Sequence, residues 1–228
     1  MAMGMIKWFD NNFNYSVLEV GPTIKFSSAF HKTVEEYREG DKIYPLMGTT
    51  QLYTHLHYIH GIATSSRVGV NTYISAQNKK AMDVTHYLWE ENYVFWGGLE
   101  GYQSLLNTEM ERELAHLTKF LESVVASKMK IGFNETLLIE PKPQEPTKHQ
   151  YDWDVVTTTN FLRDYRLLEE FKLNIECNHA TLFGHTCHHH LDTLRINGLL
   201  GNIDSNTGDP QLRGICLNCS TSISVFIL

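Results

Sequence analysis

At 228 residues, 42% hydrophobic and 20% charged, the chain is long enough for one sizeable globular domain. A formal net charge of −7 with no basic cluster argues against a nucleic-acid or anionic-membrane partner. No stretch approaches the ~20 apolar residues of a membrane span, the first residues carry no signal-peptide pattern, and the four cysteines fall in the C-terminal quarter, so a soluble cytoplasmic protein is expected.

Residues 1–41 show no clear period beyond a short strand at 26–30 and read as a divergent N-terminal segment. Residues 42–47 predict a strand that Gly48 and Thr49 turn away from. A helix follows over 66–88, and then a compact strand over 91–96, stopped by Gly97 and Gly98. The clearest helix runs from Glu109 to about Lys130, with Met110, Leu114, Leu117, Leu121 and Val124 at i, i+3, i+4 spacing. Thr108 suits its N-cap and Gly132 its terminator. A strand ending at Glu140 comes next, and Pro141, Pro143 and Pro146 then force an extended loop. A second helix is predicted over 155–171, presenting Phe161, Leu162, Tyr165, Leu168 and Phe171 on one side. Beyond a strand ending at Glu176, residues 186–197 predict another helix before a strand ending near Asp204. Strand alternating with helix defines an α/β protein with a parallel sheet.

Three apolar runs in this series end in a carboxylate: Glu140, Glu176 and Asp204. In a β/α barrel each strand delivers its last residue to one shared face, and carboxylates gathered there repel each other unless a cation sits between them. His179, three residues after Glu176, completes a candidate metal set of Glu140, Glu176, His179 and Asp204. Oxygen-rich ligation suits Mg²⁺ and Mn²⁺, and one imidazole shifts the preference towards Mn²⁺ or Co²⁺. Each acid taken singly could instead cap the helix after its strand. Lys142 alternates with Glu140 and could hold a substrate oxygen or form a structural ion pair. Trp96 offers an apolar wall of the kind that suits the C–H face of a sugar. Consecutive helical residues point about 100° apart and cannot all face one ion, so of the histidines from His185 to His190 only His185 and His189, at i, i+4, could chelate, and the run is read as a polar helix face. Cys216 and Cys219 have CxxC spacing but no second ligand pair, and read as incidental.

Four segments carry a resemblance to the xylose isomerases, especially the plant-type members of the larger class. They are Val94-Phe-Trp-Gly-Gly-Leu-Glu-Gly-Tyr102, Leu138-Ile-Glu-Pro-Lys-Pro143, Lys172-Leu-Asn-Ile-Glu-Cys-Asn-His179 and Gly201-Asn-Ile-Asp-Ser-Asn206. The similarity runs over residues 42–212, leaving 213–228 as an unrelated tail. It implies the (β/α)₈ TIM-barrel family, here a partial barrel with about five clear parallel strands. It also implies interconversion of D-xylose and D-xylulose by a metal-assisted 1,2-hydride shift, with two Mg²⁺, Mn²⁺ or Co²⁺ ions. By resemblance Glu140 and Asp204 bind the first ion, Glu176 bridges both and His179 binds the second. Lys142 then contacts the substrate oxygen at C1, and Trp96 and Thr49 line the sugar site. The family assembles as dimers or tetramers, so a homo-oligomer is implied, with no nucleic-acid or membrane partner.

The chain also departs from the family. The histidine and aspartate that assist ring opening have no counterpart near Phe30 and His31, Leu99 stands for an arginine, and Met47 for a tryptophan. After Leu212 the aspartates that complete the second ion's site are missing. The resemblance therefore predicts a shortened chain whose second metal site is incomplete and whose catalysis is absent or very weak. The alternative is a non-catalytic homologue that associates with intact isomerase subunits.

Overall fold

The computed structural model describes residues 47–49, 58–87, 92–145, 148–205, 208–209, 214–215 and 223–226. The expected strand at 26–30, residues 42–46 of the following strand, His31, Pro146, Cys216 and Cys219 lie outside these. In chain order the elements begin with β1 (Met47–Thr49), α1 (Val68–Tyr87), β2 (Asn92–Trp96), β3 (Gly101–Tyr102) and α2 (Met110–Ile131). β4 (Thr136–Glu140), β5 (Gln144–Glu145), β6 (Lys148–Gln150), α3 (Val155–Asp164) and β7 (Phe171–Glu176) form the middle. α4 (Cys177–Leu182), α5 (Cys187–Asn197), β8 (Leu200–Ser205), β9 (Gly208–Asp209), β10 (Gly214–Ile215) and β11 (Ile223–Phe226) complete the series. Among the described residues, no helix is long and apolar enough to cross a membrane.

β1, β2, β4, β7 and β8 pair in parallel in that order, with helices in every connection. Spatial neighbours are sequence neighbours, so the sheet is wound in one direction, as in a barrel, rather than reversing as in a doubly wound sheet. The five parallel strands are those expected. The tail is not separate from them: β11 pairs antiparallel with β8, Ile223 opposite Ser205 and Phe226 opposite Asn202. β3, β6 and β5 form a small antiparallel sheet where a plain extended loop was expected.

Strand alternation divides the sheet into two faces. Tyr93, Leu137, Ile139, Leu173 and Ile175 face the helices and join Met82, Leu121, Val124, Leu162 and Leu194 in one core. Burial of each such side chain favours folding by about 1.5–3 kcal/mol. The opposite parity turns Trp96, Glu140, Asn174 and Glu176 to the inner face.

Several boundaries differ from the sequence expectation. Gly48 and Thr49 continue β1 instead of turning out, because they pair with Tyr93 and Val94 of β2 and the Thr49 hydroxyl donates to the Val94 carbonyl. Glu109, not Thr108, is the N-cap residue of α2, while Gly132 terminates it as predicted, in the left-handed conformation at φ 70°. α3 ends at Asp164 rather than running to Phe171. There Arg166 adopts φ 59° and the Leu167 amide donates back to the Leu162 carbonyl, which turns the chain so that Phe171 opens β7. Cys177 and Cys187, left without a role in the sequence, form a disulfide joining the starts of α4 and α5.

The last parallel strand carries an irregularity that matters for the site. Leu173 pairs with Leu200 but Asn174 with Asn202, so Gly201 is an extra residue in β8. Such a bulge re-aims the residues beyond it. Asn202 and Asp204 thereby come opposite Asn174 and Glu176. A Cβ at Gly201 would press into the Leu138 side chain and stand 3.0 Å from Lys172 Cβ. Gly201→Ala is expected to destabilise the chain by about 1–3 kcal/mol through overpacking. Urea unfolding of the variant against the parent measures this, and a loss under a few tenths of a kcal/mol would show that the bulge has room to relax.

Candidate metal centre

None of the three strand-end acids is spent on a helix cap. Glu140 leads into the β5 loop, and α3 is capped instead by Asp154, whose carboxylate accepts from the Thr157 amide at 2.7 Å. Glu176 is the N-cap residue of α4, yet its side chain makes no capping hydrogen bond. Asp204 precedes β9, which is a strand. The capping alternative is thus excluded for all three, and the carboxylates are available to the inner face.

The register brings them together. Trp96 is paired with Glu140, and Glu176 with Asp204. His179 does not lie in a loop, as the sequence suggested, but on α4, about one turn beyond Glu176. Its Nε2 stands 3.0 Å from Glu176 Oε2 and its Nδ1 3.6 Å from Glu140 Oε1. Ligand atoms of Glu140, Glu176 and His179 all lie within 4.8 Å of one another, close enough to share an ion. Asp204 is tied to this group by an amide the sequence reading missed. Asn174 Nδ2 donates to Glu140 Oε2 at 2.7 Å and to Asp204 Oδ2 at 2.9 Å, and Asn202 Nδ2 donates to Asn174 Oδ1 at 2.7 Å. The signal was present as a repeat: Asn-Ile-Glu at 174–176 and Asn-Ile-Asp at 202–204 put an amide two residues before each acid, on the same face.

Electrostatics at the centre follow from burial. Glu140 is pushed well above the ordinary carboxylate range, first by desolvation and then by the nearby charges of Glu176 and Asp204, with Asn174 opposing. His179 is held down at about 3, chiefly by burial and next by the Lys142 charge, so it is a neutral imidazole with a lone pair to offer. Its buried Nδ1 makes no hydrogen bond of acceptable geometry. A buried acid group repelled by its neighbours, beside a neutral histidine, fits a divalent cation.

The remaining sequence candidates divide. The Lys142 ammonium is ion-paired with the buried Glu145 and lies 5.3 Å from the centroid of the Trp96 ring, so the structural ion pair that the sequence allowed is formed. Glu145 had been missed, since an acid two residues beyond Pro143 carries no periodic signal. Thr49 is exposed on β1, its hydroxyl bonded to the Val94 carbonyl. The histidine run is not a uniformly polar face: His190 is buried at 3% exposure. His185 precedes α5, for which Thr186 is the N-cap, and so it escapes the helical spacing that separates consecutive side chains.

No protein-family model matches the chain. It is 71% identical over 177 residues to the xylose isomerase of Arabidopsis thaliana, covering 78% of this chain and 37% of that protein. The xylose isomerase of Hordeum vulgare is 68% identical over 170 residues, covering 75% and 36%. That of Caldicellulosiruptor bescii is 53% identical over 179 residues, covering 78% and 41%. Among solved structures, a D-tagatose 3-epimerase-like protein superposes with a TM-score of 0.61 at 14% identity, covering 81% of this chain and 65% of that one. A D-psicose 3-epimerase gives 0.61 at 13% identity, covering 83% and 60%. At such identities the likeness concerns the fold alone, that of a TIM barrel. Over its matched residues the chain is similar to the plant xylose isomerases, and it spans little more than a third of their length.

Proposed function

We propose that the chain is the metal-binding portion of an aldose–ketose isomerase that interconverts D-xylose and D-xylulose by a 1,2-hydride shift. The observation that carries this reading is the cluster of Glu140, Glu176 and His179 at strand ends, in a chain 71% identical to a xylose isomerase. Glu140, Glu176 and Asp204 would hold one ion and Glu176 with His179 the second, whose site keeps these two ligands. A divalent cation bound there supplies Lewis-acid polarisation of substrate oxygens.

In the isomerisation the C2 hydrogen moves with its electron pair to C1, and the proton of the C2 hydroxyl ends on the oxygen at C1. The Lys142 ammonium, held by Glu145 above the Trp96 ring, would donate to that C1 oxygen and offset charge growing on it. Trp96 would present its ring to the C–H face of the sugar, with Thr49 two strands from Glu140 as a further wall. Residues 42–212 form the barrel portion of this reading, 213–228 an addition to it, and a homo-oligomer its setting. The described residues hold five barrel strands in parallel. The second reading is a subunit that associates with intact isomerase.

The test is D-xylose deuterated at C2, incubated with the purified chain and Mn²⁺ and followed by NMR. Formation of xylulose with deuterium retained at C1 is expected, falling about 100-fold in Lys142→Met. No ketose from the chain alone, but co-purification with a full-length isomerase, would replace the first reading by the second. Neither result would sink both.

A further inference from the structure

His185, in the turn after α4, and His190, in the first turn of α5, face each other. His185 Nδ1 lies 3.1 Å from His190 Nε2, with the rings at an interplanar angle of 82°. His190 is buried and His185 half-buried, and neither belongs to the carboxylate centre. We propose that His185 and His190 form a second metal site, selective for borderline transition cations such as Zn²⁺ and Cu²⁺.

The distance suits two ligands of one ion. With metal–nitrogen bonds of about 2.0–2.1 Å, nitrogens this far apart subtend roughly 100° at the metal, between square-planar and tetrahedral values. Without metal the contact is a hydrogen bond, one ring donating and the other accepting. On uptake the ion takes the place of the shared proton, which moves to the far nitrogen of its own ring. Both imidazoles stay neutral, and the protein gains only the charge of the ion.

The surroundings favour a formed site. The Cys177–Cys187 disulfide spans the turn that carries His185 and ties it to α5, so the pair is held before metal arrives. The exposed His189 ring has its centroid 4.7 Å from that of His185 and 5.9 Å from that of His190. Rotation of that exposed side chain would bring a third imidazole, and water can complete the shell. Selectivity follows from donor type: nitrogen ligands favour Cu²⁺ and Zn²⁺ over Mg²⁺, whereas the oxygen-rich Glu140 centre favours hard ions. Saturating Mg²⁺ should therefore fill the first centre and leave this one open.

The test uses the whole chain with Mg²⁺ in excess and Cu²⁺ as probe, read by electron paramagnetic resonance and by equilibrium titration. One tightly held Cu²⁺ with coupling to at least two nitrogens is expected, displaced only by Zn²⁺ in large excess. His185→Ala and His190→Ala should each weaken Cu²⁺ binding about tenfold or more, with His188→Ala, an exposed neighbour, unchanged. His185 lies in a half-exposed turn, so its variant remains informative should the buried His190 variant fail to fold. A one-nitrogen spectrum would assign the ion to His179 and overturn the proposal, as would binding unaffected by His185→Ala. The double variant Glu140→Gln, Glu176→Gln should keep the two-nitrogen signal, which separates failure of this site from failure of the isomerase reading.

Discussion

Mn²⁺ at a hundred times its Kd raises the unfolding free energy by about 2.7 kcal/mol, and Glu140→Gln removes most of that gain. For a domain of this size the gain is a rise in Tm of roughly 5–10 °C. The reason lies in the raised pKa of Glu140, set by its burial and by Glu176 and Asp204. A carboxyl whose folded pKa exceeds its unfolded one favours the folded state below the ordinary Glu range. That contribution is lost as pH rises through the raised value. A bound cation replaces the proton, so stabilisation by Mn²⁺ should grow with pH over this interval.

His179 works in the other direction. Held at about 3, it disfavours the folded state as pH falls from its unfolded value towards that figure, because the unfolded chain takes the proton first. Above that range it is neutral and free to ligate. Glu140→Gln should leave the metal-free chain at least as stable as the parent above neutral pH, since one repulsive charge is gone. Calorimetry across pH, with and without Mn²⁺, checks both statements. A Mn²⁺ shift that is independent of pH, or undiminished in the variant, would contradict this account of the centre.

Asn174→Ala is expected to weaken Mn²⁺ binding by 10–100-fold, although Asn174 need not touch the ion. Its amide spans Glu140 and Asp204 and sets the separation of their oxygens, while its own carbonyl is held by Asn202. The substitution removes the one contribution that lowers the Glu140 pKa, so a proton competes more strongly with the cation. It also leaves the buried Asn202 amide without that acceptor, at a cost of about 1–3 kcal/mol. Isothermal titration with Mn²⁺ at two pH values reads both effects. The loss should shrink as pH rises if proton competition is part of it. Affinity within twofold of the parent at both would reduce Asn174 to a space-filling role.

The elements that could be read from the amino-acid order are those set by nearest neighbours along the chain. The apolar stripe from Met110 to Val124, the left-handed stop at Gly132 and the runs ending in Glu140, Glu176 and Asp204 all depend on spacings of two to four residues. Backbone conformation and side-chain direction follow from such spacings, so five parallel strands and three acids on one face were legible. The end of α3 was not, because Leu168 and Phe171 continue an apolar pattern that serves a turn and a strand as well as a helix.

What joins Asn174 to Glu140 is a contact across 34 residues, and to Asn202 one across 28. Nothing local favours it. It exists because β7 lies between β4 and β8 and because the extra residue Gly201 shifts the register of β8 by one. His185 meets His190 more locally, across five residues, where the turn before α5 brings a residue outside that helix over its first turn. Spacing along the chain thus told which side chains share a face. Which of them meet was decided by strand register, a property of pairs of segments that no single segment carries.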